Sequence, residues 1–338
     1  VAATVEEKMR VFVYSTRPYD RDALEKVNAG QHELTFSPVS LDEQTTALAY
    51  GYDAVCLFVN DLANAIALTR LAAGGVRMIA QRSTGFNNID LQAAAQCGIR
   101  AFRVGYYSPY AVAEHAIALL QTLNRRTHRA YNRVRDNNFL LDGLVGRDIH
   151  GQTVGILGTG KIGTVFAGIM MGFGCNLLGY DIAPNPRCLD LGVEYVSVNE
   201  LAARADIISL HLPLTPETFH LIDAAILGQT KRGVYLLNTS RGKLVDTDAL
   251  IDALKTGHIG AVGLDVYEEE ESLFFRDFSQ DYIRDDRFTR LLSFPNVLVT
   301  AHQAFLTEEA LATIARTTIQ NLNDFAAGRD NENLLPTP

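Results

Sequence analysis

Hydrophobic and polar positions alternate in two rhythms along this chain. Short apolar, β-branched runs at 9–15, 54–59, 78–81 and 99–104 predict buried strands. Between them, apolar residues at helical spacing over 22–29, 42–50, 63–73 and 91–97 predict helices, several followed by Gly. Strands that alternate with helices in this way predict a parallel sheet with helices on both faces. The alternation pauses at one long helical stretch, roughly 109–137, behind Ser108-Pro109, an N-cap residue followed by proline at the first turn. A second series then predicts strands at 153–157, 176–180, 207–211, 233–238, 261–266 and 297–301, and a last long helix over 307–327. Two such series around a long helix imply two α/β domains, with the last helix free to return to the first. Residues 272–286 are polar and aromatic without a period, which predicts a long loop of the kind that often carries function.

One motif stands in the right context for a nucleotide. Gly158-Thr159-Gly160-Lys161-Ile162-Gly163 directly follows the predicted strand 153–157 and opens a helix. Gly158 permits the tight turn, Gly160 lets a pyrophosphate approach the backbone, and Gly163 lets helix and strand pack closely. The helix start offers N–H groups and the positive end of its dipole to phosphates. Asp181 ends the next predicted strand, where a carboxylate accepts hydrogen bonds from the adenosine ribose and repels a 2′-phosphate, favouring NAD over NADP. Arg187 nearby softens that preference.

Three more residues follow three different predicted strands: Arg241 in Asn238-Thr-Ser-Arg-Gly, Glu270 beyond Asp265-Val-Tyr, and His302 in Thr300-Ala-His-Gln. Ligands of open parallel sheets gather at those strand ends. A guanidinium holds a carboxylate with two hydrogen bonds, a His moves a proton near neutral pH, and a neighbouring Glu favours the imidazolium. Singly each has a structural use, as an ion pair, a satisfied core histidine or part of the acidic run 268–271. Together, behind a nucleotide loop, they fit one chemistry.

Composition narrows the classes. The chain has 338 residues, enough for two domains, with 47% apolar and 20% charged residues, as in ordinary globular proteins. Lys and Arg number 30 against 39 Asp and Glu, so the net charge of −9 argues against nucleic acid as a partner. The one basic cluster, Arg125, Arg126, His128, Arg129, Arg133 and Arg135, reads as a solvated or interface face. The longest apolar stretch, 111–123, is interrupted by Glu114, His115 and Gln121, so no membrane span is expected. Cys56, Cys97, Cys175 and Cys188 lack CxxC spacing and read as reduced structural thiols; no metal is expected.

These residues resemble the D-isomer-specific 2-hydroxyacid dehydrogenases. The resemblance runs from the Gly85 loop to the last helix, through Gly158–Gly163, His211-Leu-Pro213, Asn238-Thr-Ser-Arg-Gly242, Gly263-Leu-Asp-Val-Tyr267 and His302-Gln-Ala-Phe305. Within the family it is nearest to the bacterial fermentative D-lactate branch, by Arg82-Ser-Thr-Gly-Phe-Asn-Asn-Ile-Asp90, Tyr107-Ser-Pro, Leu123-Asn-Arg-Arg and Leu273-Phe-Phe. Many members have Pro after the catalytic Glu; here Glu271 follows, with a longer insertion, as in the lactate branch.

The resemblance implies a flavodoxin-like substrate domain, 1–107 with 303–338, around an inserted Rossmann NAD domain, 108–302, with the substrate in the cleft between them. It implies a homodimer built through the cofactor domains. It also implies reversible reduction of pyruvate to D-lactate by NADH, in which Arg241 clamps the 2-oxo acid, His302 is the general acid and Glu270 orients it. Backbone N–H groups near Thr84 and Gly85 and the Tyr107 hydroxyl assist with the carboxylate, and Phe58 and Phe305 crowd the methyl group. Ile182, His211, Pro213, Thr218, Thr239, Arg241, Asp265 and His302 match cofactor-contact positions, Asp265 facing the carboxamide. The alternatives are a dehydrogenase for bulkier 2-oxo acids or a dinucleotide-sensing corepressor-like protein. The expected location is the cytoplasm, or an organelle stroma or matrix if a transit peptide preceded Val1.

Overall fold

The computed structural model describes residues 8–336. The chain forms two compact units, Val1–Ser108 with Leu306–Pro338, and Pro109–Phe305. The outermost parts of the expected substrate domain, 1–7 and 337–338, lie outside the described residues.

The first unit holds β1 (Arg10–Val13), β2 (Glu33–Phe36), β3 (Ala54–Leu57), β4 (Met78–Gln81) and β5 (Arg100–Phe102). They form one parallel sheet in the order β2-β1-β3-β4-β5, the flavodoxin-like arrangement. Helices α1 (Pro18–Asn28), α2 (Ala65–Ala73) and α3 (Leu91–Gln96) cross between strands. β3 and β4 are buried along their whole length, so they read as continuous apolar runs rather than alternating ones. One face packs Val55, Leu57 and Ile79 on Leu68, Leu71 and Ala93 of α2 and α3. The other packs Val11, Val13 and Met78 on Leu24 of α1 and on Ala315, Ile319 and Leu322 of the chain's last helix, Glu308–Ala326.

The second unit holds β6 (Thr153–Leu157), β7 (Asn176–Tyr180), β8 (Glu194–Tyr195), β9 (Ile207–Leu210), β10 (Val234–Asn238), β11 (Ile259–Leu264) and β12 (Val297–Val299). All pair in parallel in the order β12-β11-β10-β9-β6-β7-β8, a Rossmann sheet whose winding reverses between β6 and β9. Its helices are α4 (Pro109–Arg125), α5 (Thr127–Arg135), α6 (Lys161–Gly172), α7 (Pro186–Asp190), α8 (Val198–Arg204), α9 (Ala224–Gln229), α10 (Thr247–Lys255) and α11 (Asp286–Ser293). Leu119, Leu120 and Leu123 of α4 and Phe166 and Met170 of α6 cover one face, while Leu201, Leu227, Leu250 and Leu291 cover the other. No helix among the described residues is long and apolar enough to cross a membrane.

Several local expectations change. The helix expected over 42–50 shrinks to one 3-10 turn, Thr46–Ala49, because Asp42 Oδ1 accepts the N–H groups of Gln44 and Thr45 and so closes a competing turn. The stretch 109–137 is two helices, broken where Arg126 takes a left-handed backbone, φ 51°. The edge strands β2 and β8 lack the buried apolar run that marks the central strands. The loop 272–286 is anchored at its start: Leu273 and Phe274 are buried, Phe274 packing on Phe288 of α11.

Candidate active site

In the second unit, the C-terminal ends of seven parallel strands point to one edge of the sheet, and the residues singled out above follow them. After β10, the Asn238 side chain builds the turn that carries Arg241: its Oδ1 accepts the Ser240 N–H at 3.0 Å and its Nδ2 donates to Arg241 O at 2.8 Å. Arg241 is half-buried, and its Nη1 donates to its own neighbour Ser240 O at 2.7 Å, which uses one of five guanidinium donors. The turn lies against the segment after β11. A Cβ on Gly242 would stand 2.0 Å from the Tyr267 carbonyl, so only glycine fits there.

That neighbouring segment carries Glu270. Its Oε2 accepts the Tyr267 N–H at 2.9 Å, and its Oε1 lies 2.9 Å from Nδ1 of His302, which follows β12. With Nδ1 held by the carboxylate, Nε2 is the nitrogen left for proton transfer to a ligand. Ala301 and His302 both have left-handed backbones, φ 43° and 58°, a conformation that must be held from outside. Asp265 holds it. Its backbone O accepts the His302 N–H at 2.5 Å, Oδ1 accepts from Gln303 N–H at 2.8 Å and Thr300 Oγ1 at 2.7 Å, and Oδ2 accepts from Ala304 N–H at 2.9 Å. His115 of α4 bonds Thr300 Oγ1 at 2.9 Å. Burial alone raises the Asp265 carboxyl, but His115, the charge at His302, Thr300 and the Ala304 N–H outweigh it and hold the group below the ordinary carboxylate range. Two of the acidic run 268–271 are therefore paired rather than solvated, since Glu268 also bonds His220 Nε2 at 2.7 Å.

The glycine loop follows β6. Gly158 has φ +96°, and a Cβ there would lie 2.6 Å from the His211 carbonyl carbon, while one on Gly163 would lie 1.9 Å from Gly158 O. Beside Gly160, by contrast, none of the described residues comes within 4 Å of the Cβ position, and none of their side chains caps the start of α6 at Lys161-Ile162. Asp181 follows β7 and binds the loop, its Oδ2 accepting the Thr159 N–H at 2.6 Å. Ile182 next to it is 98% exposed, and Arg187 is exposed at the second position of α7. After β9, His211 bonds Ser209 Oγ through Nε2 at 2.9 Å; burial pushes its imidazole down to about 3, so it is neutral. Thr218 closes the next turn by donating to Pro213 O at 2.7 Å.

In the first unit, Phe58, Thr84, Gly85 and Tyr107 follow β3, β4 and β5. Asn88 Nδ2 donates to Phe58 O at 3.0 Å, and Arg103 Nη1 donates to Thr84 O at 3.1 Å, which fixes the two loops. Phe305 is buried at the end of the second unit.

Residues 117–304 match the family described as D-isomer specific 2-hydroxyacid dehydrogenase, NAD binding domain. The D-lactate dehydrogenase of Escherichia coli strain K12 is 51% identical over 328 residues, covering 97% of this chain and 100% of that one. The chain belongs to the D-isomer specific 2-hydroxyacid dehydrogenases. Among solved structures, the pyruvate reductase of Chlamydomonas reinhardtii matches with a TM-score of 0.93 at 46% identity, covering 98% of this chain and 100% of that one. The D-lactate dehydrogenase of Aquifex aeolicus, complexed with NAD and lactic acid, matches with a TM-score of 0.85 at 32% identity, covering 97% and 99%.

The protein is thus an NAD-dependent D-2-hydroxyacid oxidoreductase, and its own residues fit the dinucleotide. The space beside Gly160 is open. Among the described residues, Thr239 Oγ1 and His211 Nδ1 are buried without a protein partner at neighbouring strand ends, as groups kept for a ligand are. Sequence reasoning gave no role to Asn238, Thr300 or His115. For His115 a signal existed: Glu114-His115 interrupts an otherwise apolar helix face.

Proposed function

We propose that this dehydrogenase is a pyruvate reductase, converting pyruvate to D-lactate reversibly. The observation that carries the reading is the His302–Glu270 pair at 2.9 Å, whose members follow the two strands next in line, β12 and β11, beside the strand β10 that Arg241 follows. NADH, when bound, would supply the hydride that the ketone carbon accepts. Arg241 clamps the 2-oxo acid carboxylate and polarises the ketone oxygen. His302 gives its Nε2 proton to that oxygen as negative charge develops, and Glu270 keeps the ring oriented through Nδ1. In the reverse direction neutral His302 takes the hydroxyl proton. We assign the remaining substrate contacts to Thr84 and Gly85 N–H groups, Tyr107, Phe58 and Phe305. The adenosine half goes to Asp181 and Ile182, the pyrophosphate to Gly158–Gly163, and the nicotinamide half to His211, Pro213, Thr218, Thr239 and Asp265. Asp265 Oδ2, with one protein donor, retains capacity for a carboxamide.

We take 1–107 with 303–338 as the substrate domain and 108–302 as the cofactor domain. A homodimer through the cofactor domain is supported by Phe139, Leu140, Leu141 and Val145, exposed by 71%, 66%, 77% and 83% on one segment after α5. Arg133 of the basic cluster braces that segment, donating to Asp142 O at 2.6 Å. The free cysteines, with Cys56 and Cys188 buried, favour a reducing compartment, the cytoplasm or an organelle interior.

The choice of pyruvate is supported by what the Escherichia coli and Chlamydomonas relatives are named for. Steady-state NADH oxidation with pyruvate, phenylpyruvate and 2-oxoisocaproate tests it, with NADPH as the cofactor control. The expected order has pyruvate fastest and NADPH poor. Turnover confined to the bulky acids keeps the mechanism and removes the substrate assignment; tight NADH binding without turnover on any acid removes the enzyme reading.

A further inference from the structure

A chain of hydrogen bonds runs behind the ribose side of the glycine loop, and the chemistry above makes no use of it. The Asn185 N–H donates to the Tyr195 hydroxyl at 2.8 Å, and Tyr195 donates to Thr159 Oγ1 at 2.8 Å. The Thr159 hydroxyl in turn donates to Asp181 Oδ2 at 3.1 Å, the oxygen that also accepts the Thr159 N–H at 2.6 Å. Bonding capacity fixes the direction. A backbone N–H only donates, so the Tyr195 oxygen accepts it and turns its own hydrogen towards Thr159. An ionised carboxylate only accepts, so the single hydroxyl hydrogen of Thr159 goes to Asp181. Burial pushes the Tyr195 phenol above its ordinary value, so the donor keeps its proton. The Asn185 amide closes the frame, donating to Thr159 O at 2.7 Å and to Thr164 Oγ1 at 3.1 Å.

The sequence makes room for this chain. Gly179 of β7 lies beneath it, and a Cβ there would stand 2.6 Å from Val193 Cγ1, 3.3 Å from Thr159 Cγ2 and 3.6 Å from Tyr195 Cε1. Thr159 is 1% exposed, so water has no access to replace a missing donor. The outcome at Asp181 is asymmetric: Oδ2 accepts from two donors of the Thr159 residue, while the described donor to Oδ1 is the Ile182 N–H, at 2.8 Å.

We propose that Tyr195 is a positioning residue for dinucleotide selection, acting through Thr159 to lock the Asp181 carboxylate with Oδ1 turned to the adenosine ribose. The inference rests on the reading that Asp181 faces that ribose. A locked carboxylate accepts the ribose hydroxyl and opposes a 2′-phosphate; a carboxylate free to rotate does both less well.

Equilibrium fluorescence titration of the full chain with NADH and with NADPH tests it, on the wild type, Tyr195→Phe and Asp181→Asn. For Tyr195→Phe, NADH binding is expected to weaken roughly threefold to tenfold, the worth of one net hydrogen bond. NADPH binding changes less, so the preference narrows, and the effect falls on KM for NADH more than on kcat. Thr159→Val, which keeps the N–H donor and removes the hydroxyl, is expected to narrow the preference in the same way and serves if Tyr195→Phe folds poorly. An unchanged preference in Tyr195→Phe and Thr159→Val, with a collapsed one in Asp181→Asn, overturns the role of Tyr195 and leaves the ribose reading standing. An unchanged preference in Asp181→Asn overturns both.

Discussion

His302→Ala is expected to lower kcat for pyruvate reduction roughly 10²- to 10⁴-fold, the range for loss of a positioned general acid. NADH binding should fall far less than kcat, because the glycine loop and Asp181, assigned above to the pyrophosphate and the ribose, follow β6 and β7 while His302 follows β12. Stability should also change little, since the backbone there is held by Asp265 rather than by the imidazole: the Thr300, Gln303 and Ala304 bonds to the Asp265 carboxylate all survive the substitution. Stopped-flow and steady-state NADH oxidation check the rate, and NADH titration checks binding. A kcat within tenfold of wild type excludes His302 as the proton donor.

The second large effect is expected at Arg241. Arg241→Lys keeps the positive charge but loses the planar pair of donors that matches a carboxylate. It should raise KM for pyruvate and lower kcat together, by roughly 10²- to 10³-fold in kcat/KM, comparable to the loss of one donor to a developing oxyanion. The fold is not expected to suffer, because the turn is made by the Asn238 side chain and by Gly242 against Tyr267, and the guanidinium contributes one bond to its own Ser240 carbonyl. A Lys variant with wild-type KM for pyruvate contradicts the clamp.

What could be read from sequence follows from how local each signal is. The glycine motif declares itself because strand, turn and helix are contiguous, and Gly158 and Gly163 are each required by contacts within that short segment or its neighbouring strand end. Arg241, Glu270 and His302 stand out because each follows a strongly apolar strand, and a parallel sheet brings such ends to one edge. Local pattern does not reveal who holds them in place. Thr300 and His115 act across 35 and 185 residues of chain, through Asp265 Oδ1 and Thr300 Oγ1. The same limit applies to the fold. β2 is a half-exposed edge strand without a buried apolar run, the 42–50 stretch has helical spacing but an aspartate that captures its own backbone, and the helix break at Arg126 has no proline or glycine to mark it.

The most direct test of the proton-transfer assignment is the pH dependence of kcat/KM in both directions on the same enzyme, pyruvate with NADH and D-lactate with NAD. Reduction needs His302 protonated and oxidation needs it neutral. Rising pH is therefore expected to lower kcat/KM for reduction and raise it for oxidation, with opposite slopes over one pH interval. Identical profiles in the two directions would contradict His302 as the group that gives and takes the proton.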